Sequence, residues 1–495
     1  MRTRVVALIF ALLATVVPAQ AQSVDPLASF YGQQLVWTKC SKHLECATFK
    51  VPLDYRHPES RSITITAARN KATGVARGNL VVNPGGPGGS GVSYIEDASA
   101  VVSPTIYREF NLVGFDPRGL GRSTPLKCLN DRETDALLEV DQTPDSAAEE
   151  RALLQSGKDL IAACKRADAA LMQHVSTIEV ARDMDVLRAL LGDARLRYLG
   201  KSWGTALGQA YAALFPKRVG TFVLDGAVDV TLPLAEASFD QARGFETAAN
   251  RFIAWCLAQG KCVLGRTTTS ARTRLIAFIK GLDAHPLKTK NAARPLTEQQ
   301  AWTAIIGPLY IALGGWDWLN VALIAAIEEK NGSELQNIND WFIDRSARGT
   351  YPDNANTLIY AVNCLDRIGA SSLAAAKGES RQWSKQLPIM GALMAWGDEA
   401  CASWPYRAQE SLAGIAIRNV PPMLVIGSLY DPATPMKWAQ AVQRQIPKAV
   451  LLVREGDGHT AYVNGSLCID RAVDTFLLSK NVTQPVVPKN GKRCE

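Results

Sequence analysis

The pentapeptide Gly200-Lys201-Ser202-Trp203-Gly204 constrains this chain more than any other stretch. It reads G-x-S-x-G. The apolar run Leu196-Arg197-Tyr198-Leu199 leads in, and the small-residue stretch from Thr205 to Ala213 leads out. That order predicts a strand, a tight turn and a helix. A serine on such a turn is held strained and exposed, and the flanking glycines let strand and helix approach it. The helix N-terminus behind it favours negative charge developing nearby. In a chain with 37 glycines a chance match is the bland alternative, so the partner residues must decide.

Those partners follow other predicted strands. Pro422 to Gly427 is apolar and precedes Tyr430-Asp431-Pro432; Ala449 to Val453 precedes Gly456-Asp457-Gly458-His459. Ser202, Asp431 and His459 thus each lie past a strand's C-terminal end, on the edge where parallel sheets bind ligands. Their order, Ser then Asp then His, is that of an α/β-hydrolase triad. Asp457 is a rival acid, but its position two residues before His459 suits a turn residue. His43, His57, His174 and His285 follow no suitable strand end and read as surface or structural.

A second glycine-rich stretch, Asn83 to Gly91, follows the apolar run Asn79-Leu80-Val81-Val82. Gly86 to Gly91 formally matches the dinucleotide fingerprint G-x-G-x-x-G. A proline stands where that turn is tight, and the strand is not the first in the chain. A loop whose N–H groups face a developing oxyanion explains the glycines better. Gly200-Lys201-Ser202 is not a phosphate loop, because position 195 is Arg where that motif needs Gly.

The remaining chain divides by pattern. Leu35–Thr38, Ala47–Val51 and Ser62–Thr66 read as antiparallel edge strands. Phe110–Phe115 and Thr221–Leu224 are further strands, with helices predicted over 145–167 and Thr177–Leu191. Strands alternating with helices predict an α/β fold, a mostly parallel central sheet with helices on both faces. From 232 to 414 the pattern turns helical, and eight of the eleven tryptophans fall there. The expected organisation is a core of residues 22–231 and 415–495 carrying a helical cap at 232–414. Those tryptophans are either an ordinary helical core or the lining of an apolar substrate cleft.

Arg2 and Arg4, the apolar run Val5–Val17 and Ala19-Gln20-Ala21 form a signal-peptide pattern over 1–21. The apolar run is too short to span a membrane, so an exported protein without stable membrane insertion is expected. The formal charge of +7 is mild and scattered, which disfavours nucleic-acid binding. Ten cysteines in an exported chain imply disulfides. Spacing alone leaves the connectivity open. Sequential pairing closes short loops: Cys40–Cys46, Cys128–Cys164, Cys256–Cys262, Cys364–Cys401 and Cys468–Cys494. With no C-x-x-C and five histidines, no metal is expected. Asp116 and Arg118 read as a structural pair bracing their loop. No pattern assigns an oligomeric state.

Taken together, NPGGPGGSG at 83–91, FDPRGLGRS at 115–123, GKSWGTALG at 200–208, LDG at 224–226, LYDPATP at 429–435 and GDGHT at 456–460 resemble one family. The sequence is similar, over nearly its whole length past the leader, to the secreted bacterial tripeptidyl aminopeptidases of the prolyl-aminopeptidase-like branch of α/β-hydrolases. The resemblance implies a cofactor-free serine exopeptidase that releases short peptides, often tripeptides, from a peptide substrate with a free N-terminus. It also implies an oxyanion hole from the N–H groups of Gly86 and Trp203. Pro84 stands where relatives often carry His. An aminopeptidase further needs a carboxylate for the substrate ammonium, since burying it unpaired is costly. Asp366, beside Cys364, is the first candidate and Glu246 the second. A carboxylesterase or lipase-like enzyme on the same triad is the alternative, and a non-catalytic binding protein on this scaffold the third reading.

Overall fold

The computed structural model describes residues 25–495 except 312–313, 368–371 and 398. The predicted leader, 1–21, lies outside the described residues. Ten strands form one sheet: β1 (Thr38–Lys39), β2 (Leu44–Pro52), β3 (Ser62–Asn70), β4 (Asn79–Asn83), β5 (Asn111–Asp116), β6 (Leu196–Lys201), β7 (Val219–Asp225), β8 (Leu424–Tyr430), β9 (Val450–Asp457) and β10 (Lys492–Cys494). Their order is β1-β2-β3-β5-β4-β6-β7-β8-β9-β10. The β1/β2, β2/β3 and β3/β5 pairs are antiparallel, and every other pair is parallel.

Alternation along the central strands builds two apolar layers, because successive side chains of a strand point to opposite faces. Val81, Tyr198, Phe222, Leu224 and Val425 enter one layer; Leu80, Val82, Leu199, Val223, Leu424 and Ile426 enter the other. Both faces are covered by helices, so these strands read as unbroken apolar runs. The expected strand at 35–38 shrinks to the two residues of β1. The short β10 has no apolar run to announce it; it pairs with β9 beside the Cys468–Cys494 bridge.

Between β7 and β8 the described residues form helices and no strand. Much of this region has its own apolar centre, from Phe245 and Phe252 through Trp302 and Leu323 to Ile389. The helix Ala355–Asp366 instead packs Leu358, Ala361 and Leu365 into the layer beneath the sheet. All ten cysteines pair in sequence order, as five disulfides. No described helix is long and apolar enough to cross a membrane.

Asp116 and Arg118 do not pair with each other. Arg118 is fully buried and donates both Nε and Nη2 to Asp183, at 2.7 Å each. Its other N–H groups donate to the carbonyls of Pro52, Leu53 and His174. Asp116 accepts from Ser90 Oγ at 2.5 Å and from the N–H of Arg122 at 3.0 Å. The strand β5 ends at Asp116, and Arg118 leaves it past Pro117 in the loop, so two residues that read as one brace serve two separate ones.

Candidate active site

Ser202 follows β6 and caps the helix Trp203–Leu214 with φ 55° and ψ −126°. A non-glycine residue in that region is strained. Its conformation is held from three sides. Ser202 N donates to the Asp225 carbonyl at 2.9 Å, and Thr205 N and Oγ1 donate to the Ser202 carbonyl at 2.8 and 2.7 Å. At Gly204, any Cβ would fall 2.8 Å from Asn83 Oδ1, so only glycine lets the helix start this close to β4. The glycine loop lies against the same turn: a Cβ on Gly85 would meet the Lys201 carbonyl at 2.6 Å and Ser202 Cβ at 2.9 Å. Asn83 Oδ1 pins the loop by accepting from Gly85 N at 3.0 Å. Among the described residues, neither Gly86 N–H nor Trp203 N–H enters a hydrogen bond. Lys201 donates to the Tyr462 carbonyl at 3.0 Å, pointing away from any phosphate role.

Asp431 follows β8 directly, and His459 follows β9 by two residues. His459 Nδ1 lies 2.9 and 3.0 Å from the two oxygens of Asp431, which is fully buried. The carboxylate also accepts from the N–H groups of Ala433, Thr434 and Thr460 and from Thr434 Oγ1, at 2.9 to 3.2 Å. A proton on Nδ1 satisfies that acid and leaves the lone pair on Nε2, which is buried and has no hydrogen-bond partner. Gly226 lets the histidine pack close to the end of β7. Its neighbour Asp225 holds Ser202 N, while a Cβ on Gly226 itself would sit 3.2 Å from His459 Cε1. The rival Asp457 turns outward to Arg251.

Sequence reasoning missed several supports of this site. Thr434 sits three residues past Asp431, a spacing that carries no signature on its own. Asp225 accepts from the N–H groups of Ala461 and Tyr462 at 2.9 to 3.1 Å and so anchors the chain past His459. Burial holds the Asp225 carboxyl above its ordinary pKa, countered first by Lys201. Tyr310, from the helix Glu298–Tyr310, accepts from His459 N at 2.9 Å and meets the imidazole edge-on at 5.3 Å.

A cavity of about 220 Å³ opens at Ser202, lined by Gly86, Pro87, Trp203, Tyr310, Gln241 and Trp438 among others. None of the eight tryptophans of 232–414 lines it. They pack elsewhere, Trp255 and Trp316 against one another at 6.0 Å. The two carboxylates expected to hold a substrate ammonium do not reach it either. Asp366 accepts from the N–H of Thr177, at 3.0 Å, and from its hydroxyl, which anchors the first turn of the helix Thr177–Leu190. Burial pushes its pKa up to about 7. Glu246 accepts from the N–H groups of Ile389 and Met390 at 2.9 and 3.0 Å. Both are spent on buried backbone donors, which need partners as much as a ligand would. No carboxylate occurs among the described lining residues.

Known proteins place this geometry in a family. Residues 387–494 match the family described as TAP-like protein, and residues 78–303 that described as alpha/beta hydrolase fold. The chain is 30% identical to Serine protease Hip1 of Mycobacterium tuberculosis, over 99% of this chain and 96% of that one. It is 33% identical to Carboxylesterase B of the same species, over 97% and 93%. It is 29% identical to Tripeptidyl aminopeptidase of Streptomyces lividans, over 90% and 84%. A strained serine on a strand-to-helix turn, a mostly parallel sheet and full-length likeness to these enzymes agree: the chain belongs to the TAP-like α/β-hydrolases and is a serine hydrolase.

Proposed function

We propose that this protein is an exported serine exopeptidase that releases short peptides, tripeptides foremost, from free N-termini. Ser202 is the nucleophile, His459 the general base and Asp431 the group that orients the imidazole. The observation that carries the reading is the His459 imidazole, bound through Nδ1 to a saturated carboxylate and left with an unengaged Nε2. Ser202 Oγ attacks the scissile carbonyl carbon while its proton passes to Nε2. The oxyanion is received by the N–H groups of Gly86 and Trp203, which both line the cavity. The carbon–nitrogen bond breaks as Nε2 returns the proton to the leaving amine. Water, deprotonated by the same nitrogen, then hydrolyses the acyl-enzyme. Residues 232–414 act as the cap over a core of 22–231 and 415–495. The leader pattern at 1–21 and the five disulfides support export.

Mass spectrometry of a peptide library with free and acetylated N-termini tests the reading. Tripeptides released from the free pool alone support it, together with loss of turnover in Ser202→Ala. A second reading, a carboxylesterase, has its own support: the cavity's described lining offers no carboxylate to an ammonium, and one relative bears that name. Indifference to acetylation with strong ester turnover selects it.

A further inference from the structure

The catalytic acid and base are gripped by a helix that belongs to neither of their strands. We propose that Arg251, on the helix Leu234–Ala258 of the inserted region, is a positioning residue that clamps the Asp431 and His459 loops together. The inference rests on the assignment of His459 as general base.

The register of the sheet makes the clamp necessary. Tyr430 and Asp457 are paired partners at the very end of β8 and β9. Past them the two strands part, one into Asp431 and the other into His459. Arg251 spans the fork. Its Nε and Nη2 donate to Asp457 Oδ1 and Oδ2 at 2.5 and 2.8 Å, and its guanidinium lies 3.6 Å from the centre of the Tyr430 ring. A two-pronged ion pair fixes direction as well as distance, and stacking on the ring holds the guanidinium plane. One side chain thus touches the residue before the acid and the residue two before the base.

The same helix docks along the whole acid loop. Gln241 Nε2 donates to the Ala433 carbonyl at 2.8 Å, and Asp240 accepts from Trp438 Nε1 at 2.8 Å. Gly244 lies so close that a Cβ would fall 2.3 Å from the Pro432 carbonyl. A second helix of the insertion completes the grip through the Tyr310 carbonyl and ring on His459. The acid–base pair is therefore seated between sheet and insertion, and docking of the insertion determines where Nε2 points. Arg251 itself is absent from the described lining of the Ser202 cavity, so it acts on the chemistry and not on substrate binding.

The test is steady-state kinetics of Arg251→Met and Arg251→Lys on p-nitrophenyl acetate and a tripeptidyl chromogenic substrate, with folding checked by circular dichroism. Arg251→Met should lower kcat on both substrates by about 10- to 100-fold, the scale of a small misplacement of a catalytic group. KM should change less than about twofold, because uniform binding is untouched. Arg251→Lys should regain part of kcat. Asp457→Asn removes the same ion pair from the sheet side and should give a similar loss, with the double variant no worse than either single one. Unchanged kcat in folded Arg251→Met, or in folded Asp457→Asn should the first not fold, overturns the clamp. Full activity of His459→Ala would instead overturn the assignment of the base.

Discussion

The turn that carries Ser202 and the pair Asp431–His459 are built in opposite ways. The serine turn is braced by its own neighbourhood in the sheet: Asn83, Gly85, Thr205 and Asp225 reach it from β4, its own helix and β7. Every brace is short and mostly backbone. Asp431 and His459 keep local donors such as Ala433 and Thr434, but side chains and carbonyls from far along the chain also hold their loops, with Arg251 lying 206 residues before Asp457. The first arrangement is rigid because close-packed backbone has one solution; the second is adjustable because it depends on how a helical insertion docks. A nucleophile must stay strained whether or not substrate is present.

Substitutions that break each half should therefore differ in kind. His459→Ala removes the proposed base and should lower kcat by about 10⁴- to 10⁶-fold with folding intact, measured on the tripeptidyl substrate. Gly204→Ala attacks the rigid half. Its Cβ would lie 2.8 Å from Asn83 Oδ1 and 2.9 Å from the Asn83 carbonyl. The expected cost is about 1–3 kcal/mol of stability, seen as a lowered denaturation midpoint, together with a fall in kcat. An unaltered midpoint would mean the turn is softer than its contacts imply. Thr434→Val attacks the adjustable half more gently. It removes one hydroxyl donor from the Asp431 carboxylate while the backbone donors stay. A loss of about 1.5–3 kcal/mol of transition-state stabilisation, roughly 10- to 100-fold in kcat, is expected at an unchanged midpoint.

The smallest effect concerns Asp366, which lies outside both halves. Its carboxyl is raised from an ordinary 3.8 to about 7, with burial the largest cause. A carboxyl with a raised folded pKa binds more protons folded than unfolded between these values. Its contribution is full below about pH 4 and is lost as pH rises through about 7. Asp366→Asn should flatten the decline of melting temperature over that window, and leave the ratio of cleavage of free to acetylated peptides unchanged. A changed ratio would return this residue to the amine-binding role that its contacts with Thr177 argue against.

Legibility in the sequence follows the same division. The strands of the parallel sheet announced themselves as apolar runs because both their faces are buried. Ser202, the glycine loop, Asp431 and His459 could be picked out because each needs a particular residue at the end of such a run. The strand expected over 35–38 shrank to the two residues of β1, and the three-residue β10 could not be picked out, since pairing and a disulfide hold it where no apolar pattern exists. Asp366 and Glu246 looked like ligand carboxylates only because a sequence does not say which backbone N–H groups stand opposite. Arg118 shows the same blindness, its partner Asp183 lying 65 residues away.

By itself, then, the sequence determined the elements whose cause is local. These are the periodicity that makes a mostly parallel sheet, the small residues that permit the strained turn, and the order of Ser202, Asp431 and His459 along the chain. Tertiary structure alone decided what those residues meet. It sent the tryptophans of the insertion into packing and not into the cavity, committed two acids to buried backbone donors, and set Arg251 across the fork of β8 and β9. Contacts of that kind depend on how helices dock over hundreds of residues of separation, and no spacing within a stretch of sequence encodes the angle at which they arrive.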